Sequence, residues 1–194
     1  MKTRMTTAAL LAALWGTGAG TATAGTLGID SDNAWIRSAG PRLGVLYLSD
    51  AETRRALKER HAGKMLTVFG WQAEHEYFKA DGVAGLVEVI PAIAGMEAGM
   101  FLPSLTAMLG VRIGGFEIGV GPSAGTGVTS KVVDSPTGPV TKTSAAVGIG
   151  MAGAVGYTLE YGRVNFPLNL AIVRNASGYR LGFMFGWQLR ELRS

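Results

Sequence analysis

The sequence contains no cysteine, which excludes disulfide bonds, thiol nucleophiles and cysteine-ligated metals. Only 16% of its 194 residues are charged, whereas a soluble domain carries about 25%. Although the mean hydropathy is +0.24, long apolar runs are missing, and Glu88 and Pro91 interrupt the most apolar stretch. A transmembrane helix needs about 20 consecutive apolar residues. An apolar chain without such runs is typical of a membrane protein that crosses the bilayer with strands.

The first residues have the three parts of a bacterial signal peptide. Lys2 and Arg4 supply positive charge, residues 8–15 form a short apolar core, and Ala22-Thr23-Ala24 is an A-x-A cleavage site. We therefore predict a signal peptide over residues 1–24, a flexible segment over residues 25–42, and one domain over residues 43–194. The small positive net charge gives no case for nucleic-acid binding.

The C-terminal region carries the clearest structural pattern in the chain. From Tyr179 to Leu189, every odd position is large and apolar or aromatic, and every even position is Gly, Met, Gln or Arg. Such a period of two predicts a strand with two chemically different faces. The alternation of large apolar and small or polar residues is typical of the closing strand of an outer-membrane β-barrel.

The same alternation recurs along the chain and predicts eight antiparallel strands, counting residues 43–48 as the first. We expect an all-β fold, an eight-stranded transmembrane β-barrel, with one short helix over residues 51–62 that is closed by Gly63. Residues 122–143 are rich in Pro, Ser, Thr and Gly and predict a long loop. Pro167 falls within a strand, where it must lose a ladder bond or form a bulge, and we predict a bulge.

The two faces of these strands predict which side chains meet lipid and which fill the lumen. The second face is largely Gly and Ala. Such small residues would lower strand stability on a surface exposed to water, but in a narrow lumen they leave room for larger polar side chains from other strands. Aromatic residues near strand ends on the apolar face predict an interfacial girdle; they are Trp71, Tyr77, Tyr157, Tyr161 and Trp187. The lumen phase predicts a polar network; its members are Gln72, Glu74, Glu76, Glu88, Arg112, Glu117, Glu160, Arg180 and Gln188.

Three roles are compatible with such a lumen. Charges in a narrow lumen should pair, because an unpaired buried charge is costly, and this favours a structural or interaction barrel with a plugged lumen. The Gly and Ala face of residues 145–161 is compatible with a second role, a narrow pore for small solutes or ions. A lipid-modifying enzyme using His75 or His61 is the third alternative, although His75 lacks the H-x-S pattern of outer-membrane lipid A deacylases.

The remaining motifs give no cofactor, metal or catalytic site. Glu74 and Glu76 flank His75, but successive strand side chains point to opposite faces, so the three cannot form one cluster. Gly148-Ile-Gly150-Met-Ala-Gly153 matches G-x-G-x-x-G, yet it opens no helix after a parallel strand, so a dinucleotide site is not predicted. No catalytic residue is assigned.

In four sequence segments, the chain resembles a group of small uncharacterised bacterial exported β-barrel proteins, and the resemblance extends over roughly Leu43 to Leu189. The segments are Phe69-Gly-Trp-Gln72, Gly95-Met-Glu-Ala-Gly99 with Phe101-Leu-Pro-Ser104, Gly115-Phe-Glu-Ile-Gly-Val-Gly-Pro122, and Asn165-Phe-Pro-Leu-Asn169. More generally the chain is similar to eight-stranded outer-membrane β-barrels. That resemblance implies location in the bacterial outer membrane, with its lipids, lipopolysaccharide and the barrel-assembly machinery as partners. It implies no particular activity or small-molecule ligand.

Overall fold

A computed structural model describes residues 38–135, 138–162 and 164–190, and these residues form nine strands and one short α-helix. The strands are β1 (Ser38–Leu48), β2 (Met65–Ala80), β3 (Val83–Ala94), β4 (Leu102–Ile113), β5 (Phe116–Ser135), β6 (Gly138–Tyr161), β7 (Val164–Asn175), β8 (Gly178–Gly186) and β9 (Gln188–Arg190). Helix α1 spans Ala51–Glu59, and a 3₁₀ turn spans Met96–Ala98. Within this part of the chain, no helix is long and apolar enough to cross a membrane. The predicted signal peptide lies outside the described residues.

Every pair of neighbouring strands is antiparallel, and the strands close into a ring. The order runs from β2 to β8 along the chain, and β1 then pairs with both β8 and β2. Strand β9 continues β8 in unchanged register: Arg42 faces Gly186 and Ala39 faces Leu189. Strands β8 and β9 are therefore one strand of the ring, and the predicted eight-stranded antiparallel barrel is confirmed.

The two ends of the barrel differ in their connections. At one end, here called the turn end, two residues join each of the pairs β2 to β3, β4 to β5, and β6 to β7. At the opposite end, here called the loop end, α1 joins β1 to β2, and the 3₁₀ turn joins β3 to β4. Ser38, the first residue of β1, pairs with Glu74 in the turn-end half of β2 and with Arg190, the last residue of β9. The first residue of β1 and the last of β9 therefore both lie at the turn end.

Two predicted segments are strand rather than loop. The predicted loop 122–143 was wrong, because β5 runs to Ser135 and β6 begins at Gly138, with continuous pairing between them. Strand β5 pairs with β4 only as far as Gly125, and β6 pairs with β7 only from Gly150, so this hairpin extends about 30 Å beyond its neighbours. Similarly, Ser38–Arg42, predicted as part of a flexible segment, pairs with β2 in β1.

The predicted bulge at Pro167 was also wrong. The β6–β7 register stays continuous through the Thr158–Pro167 pair. The pairing of β7 with β8 instead stops at the Leu168–Phe185 pair, so Pro167 and Gly186 are not paired with each other. The pairing resumes in the same register at the Asn165–Gln188 pair in β9. Proline lacks an N–H group, so it loses a ladder bond here without displacing a residue. The register shift observed between β2 and β3 lies between Glu76 and Phe78.

Helix α1 is shorter than the predicted 51–62. Its N-cap is Asp50, whose carboxylate accepts hydrogen bonds from the Glu52 N–H at 3.1 Å and the Thr53 N–H at 3.4 Å. The helix ends at Glu59 because His61 adopts a left-handed backbone with φ of 57°. The N–H of Ala62 then bonds to the carbonyl of Leu57, so the stop is a Schellman motif centred on His61 and not on Gly63.

Candidate functional site

The strand period places one residue in two inside the barrel, and the lumen these residues fill has two layers. Toward the turn end lies a layer of charged and amide side chains, here called the charged layer. It comprises Arg42, Gln72, Glu74, Glu76, Glu88, Arg112 and Glu117. Toward the loop end lies a layer of aliphatic side chains, here called the apolar layer. Its buried members are Leu48, Ala56, Leu57, Leu66, Val68, Ala94, Met100, Leu102 and Val128.

Arg112 on β4 is the centre of the charged layer. Its Nη1 and Nη2 donate to the two carboxylate oxygens of Glu74 on β2, at 2.9 and 2.6 Å. Its Nε donates to Oε1 of Glu117 on β5 at 2.6 Å, and Nη1 also reaches Glu76 at 3.5 Å. The hydroxyl of Thr158 on β6 donates to the same Glu117 oxygen at 2.6 Å. A planar guanidinium with five donors suits this arrangement, because it can face several carboxylates at once.

A second branch joins Arg42 to Glu88 through an amide. The Nε of Arg42 donates to Oε1 of Gln72 at 2.8 Å, and the Nε2 of Gln72 donates to Oε1 of Glu88 at 2.8 Å. Arg42 is fully buried, with 0% exposure. It fits because Gly186 faces it across the β1–β8 pair: a Cβ there would lie 2.7 Å from Nη1 of Arg42 and 2.1 Å from the Pro41 carbonyl oxygen.

The structure joins six of the nine predicted lumen residues, namely those on β2, β3, β4 and β5. The other three lie elsewhere. Arg180 is near the loop end, where its Nη2 donates to the carbonyl of Thr126 at 2.9 Å. Glu160 is exposed near the turn end. Gln188 is buried on β9 with 1% exposure, and its side-chain nitrogen has no hydrogen-bond partner among the described residues.

Sequence reasoning missed Arg42, Thr158 and Asn169. Arg42 was assigned to the flexible segment, although its even position continues the inward phase of Gly44 and Leu46. Thr158 shares the lumen phase of β6 but lacks charge, so nothing in the sequence singled it out. Asn169 points inward on β7 and is 7% exposed. Extending the predicted strand 43–48 by one residue toward the N-terminus would have found Arg42.

Helix α1 closes the apolar layer at the loop end. Leu57 and Ala56 are buried among the strand residues of that layer, and Thr53 is 1% exposed. The Thr53 hydroxyl oxygen accepts a hydrogen bond from the N–H of Val128 on β5 at 3.2 Å and donates its own hydrogen to Asp50. A cavity of about 90 Å³ remains between the helix and the charged layer.

The outer surface of the barrel is covered by large apolar side chains. Phe69, Leu109, Ile149, Leu170 and Phe183 are all exposed, and they lie on different strands around the ring. All five predicted girdle aromatics also face outward; they are Trp71, Tyr77, Tyr157, Tyr161 and Trp187. Tyr77, Tyr157, Tyr161 and Trp187 lie toward the turn end, so their rings sit near one rim of this apolar surface.

The two histidines are far from each other. His61 follows α1 at the loop end, and His75 lies ten residues into β2, so about 30 Å of strand separates them. Among the residues that the structure describes, no group of three or more His, Cys, Asp or Glu side chains is placed to hold a metal ion.

The fold and lumen thus define a closed eight-stranded antiparallel barrel with an apolar outer surface and an interior made of a charged layer and an apolar layer. No protein-family model matches the chain, and no curated protein matches it. Among solved structures it is similar to Ail, the attachment invasion locus protein of Yersinia pestis, solved in complex with the heparin analogue sucrose octasulfate. The identity is 11% and the TM-score 0.41, over 79% of this chain and 98% of the Ail chain. The closed ring is defined by the strand pairing itself, in which β1 pairs with both β8 and β2.

Proposed function

We propose that this protein is a bacterial outer-membrane β-barrel of structural or interaction type with a lumen closed by its own side chains. The observation that carries this proposal is the inverted distribution of polarity. Arg112, Glu74 and Glu117 are largely buried inside, while Leu170 and Phe183 are exposed outside. A soluble monomer rarely exposes apolar patches beyond a few hundred Å². In a bilayer the same surface needs no other cover, and the closed ring leaves no unpaired strand edge.

The asymmetry of the connections supports an orientation. Outer-membrane barrels have short turns on the periplasmic side and longer connections outside. The turn end would then face the periplasm, and α1, the 3₁₀ turn and the long hairpin would face the exterior. Lys58, Arg60 and Lys64 lie exposed at that outer end, where the phosphates of lipopolysaccharide would meet them.

Gel mobility of the outer-membrane fraction tests the location. A folded barrel resists detergent and migrates differently until it is boiled. We expect a mobility shift in that fraction, along with loss of the predicted signal peptide. Recovery in the soluble periplasm without a shift would contradict the proposal. Assembly of the protein by the barrel-assembly machinery is part of the same proposal, and depletion of that machinery should lower the shifted form.

Closure of the lumen is supported by the charged layer and by α1. Arg112 bridges β2, β4 and β5, and the Arg42–Gln72–Glu88 branch fills the space beside it. We expect negligible conductance in planar bilayers from the purified protein. Large, stable single-channel currents from the unchanged protein would contradict closure.

The narrow-pore alternative can be tested at Gly148. A Cβ at Gly148 would meet the Asn175 amide nitrogen only at 3.4 Å, whereas one at Gly150 would lie 2.2 Å from the Arg174 carbonyl oxygen. Gly148→Trp is therefore the less strained of the two substitutions, and it lies at the loop-end mouth of the lumen, since β6 pairs with β7 only from Gly150. A pore would lose solute uptake in this variant, and our proposal expects no change. For the enzyme alternative, an unaltered lipid A mass spectrum on overexpression is expected.

A further inference from the structure

The charged layer holds more negative than positive side chains. Among the described residues it contains four carboxylates, Glu74, Glu76, Glu88 and Glu117, and two guanidinium groups, Arg42 and Arg112. Arg112 lies within 4 Å of Glu74, Glu76 and Glu117. Glu88 has no such ion pair with any residue that the structure describes, and its described hydrogen-bond partner is the neutral amide of Gln72. Burial leaves Glu88 only 6% exposed, so a negative charge on its carboxyl would be little hydrated and would need a counter-ion.

Beside Glu88 lies a small void that is lined by oxygen acceptors. It measures about 10 Å³, and its polar lining consists of Glu88, Glu117 and Asn169. The rest of the lining is apolar or glycine. Asn169 is 7% exposed, and its Oδ1 has no hydrogen-bond partner within the described part of the chain. An amide oxygen buried without a donor is a costly feature that needs an explanation.

The strand register explains why these three residues meet. Gly156 on β6 pairs with Glu117 on β5 and with Asn169 on β7, so the three form one row across the sheet. Because Gly156 has no side chain, Asn169 extends over it: a Cβ at Gly156 would lie 2.1 Å from the Asn169 Oδ1. Glu88 stands on β3, four strands from β7 in the ring, so it approaches from the opposite wall.

We propose that this void binds a small hard cation, Na⁺ or Ca²⁺, ligated by the carboxylates of Glu88 and Glu117 and by Oδ1 of Asn169. Oxygen-only ligands suit such ions. A water molecule could also occupy a void of this size and satisfy Asn169, in which case the Glu88 carboxyl, buried without a counter-ion, would hold a proton instead. The cation would satisfy both. This site goes beyond the proposed function, since it does not depend on whether the lumen conducts.

Cation-dependent stability of the folded barrel tests the site. The full mature chain, refolded in a zwitterionic detergent without lipopolysaccharide, is unfolded with urea in choline chloride, NaCl or CaCl₂ at equal ionic strength. A ligand that binds only the folded state raises the unfolding midpoint and saturates. We expect NaCl or CaCl₂ to raise it over choline chloride, and equilibrium dialysis with ²²Na⁺ or ⁴⁵Ca²⁺ to give about one ion per barrel.

Two variants and one matched control locate the effect. Asn169→Leu removes the amide oxygen while keeping similar volume, and Glu88→Gln removes the unpaired charge; both should abolish the cation-dependent rise. Asn165→Leu is the control, because Asn165 lies on the same face of β7 with the same 7% exposure but does not line the void. It should keep the rise. If Asn169→Leu fails to fold, Glu88→Gln carries the test. No response in the unchanged protein, or an equal response in all variants, would overturn the proposal.

Discussion

Removal of Arg112 should destabilise the barrel more than any other single change in the charged layer. This guanidinium makes three hydrogen bonds of 2.6 to 2.9 Å to Glu74 and Glu117, and its side chain is 12% exposed. Breaking a buried ion pair by removing one partner costs about 3–5 kcal/mol, because the remaining charge is left buried and unpaired. Arg112→Met keeps most of the side-chain volume and leaves both carboxylates without their cation. We therefore expect a loss of about 3–5 kcal/mol.

The same reasoning predicts recovery when the stranded charges are neutralised. The triple variant Arg112→Met, Glu74→Gln, Glu117→Gln should regain at least half of the lost stability, since among Arg112's former partners only Glu76, the most distant at 3.5 Å and the most exposed at 19%, then keeps an unpaired charge. The control is Arg180→Met, which removes a lumen arginine whose described hydrogen bond goes to a carbonyl, that of Thr126. Its loss should cost about 1.5 kcal/mol.

Urea unfolding in lipid vesicles at pH 7 gives these free energies directly. Arg112→Met within about 1 kcal/mol of the unchanged protein would refute the argument that the charged layer depends on this residue. A triple variant no more stable than the single variant would refute the charge argument specifically. It would show that the loss comes from packing and not from unpaired carboxylates.

Three further predictions follow from other parts of the structure. Leu170→Arg, at the middle of outward-facing β7, should cost about 2–4 kcal/mol in vesicles, and an effect near zero would argue against lipid at that surface. Asp50→Ala should destabilise α1 by about 1 kcal/mol through loss of its N-cap, with faster amide exchange over Ala51–Glu59 and unchanged exchange in β7 as the check. Burial raises the pKa of Glu97, but its hydrogen bonds from the Thr67 hydroxyl and N–H outweigh this and leave the pKa below its ordinary value. A lowered folded-state pKa stabilises the protein above the unfolded-state pKa and loses that effect as pH falls through the folded value. Glu97→Gln should therefore lower the urea midpoint at pH 7 and not at pH 3, whereas an equal change at both values would contradict this sign.

The sequence predicts the faces of the strands better than their ends. Odd positions of β8 and β6 face outward as predicted, because the strand period is two and a one-residue error would reverse every side chain. The hairpin beyond Gly125 was predicted as loop because Pro, Ser, Thr and Gly are typical of loops, while its strand character comes from pairing of β5 with β6. Periodicity likewise gives no position along the barrel axis. The periodicity placed Arg180 and Glu160 on the same strand faces as the other lumen residues. It could not give their distance from Arg112, because that distance depends on the stagger between strands.

The pairing of β1 with β8 has a consequence for how the chain acquires its structure. Leu48 faces Arg180 across this seam, so the contact joins residues more than 130 positions apart in the sequence. The entropy of closing so long a loop must be overcome before any seam contact forms, and topologies of this kind fold slowly. Until Gly178–Arg190 has been synthesised and docked, the β1 and β7 edges stay open to pairing with other chains. The last thirteen described residues therefore decide whether a nascent molecule becomes a closed barrel or an aggregate, and a factor that shields those two edges would act at that step.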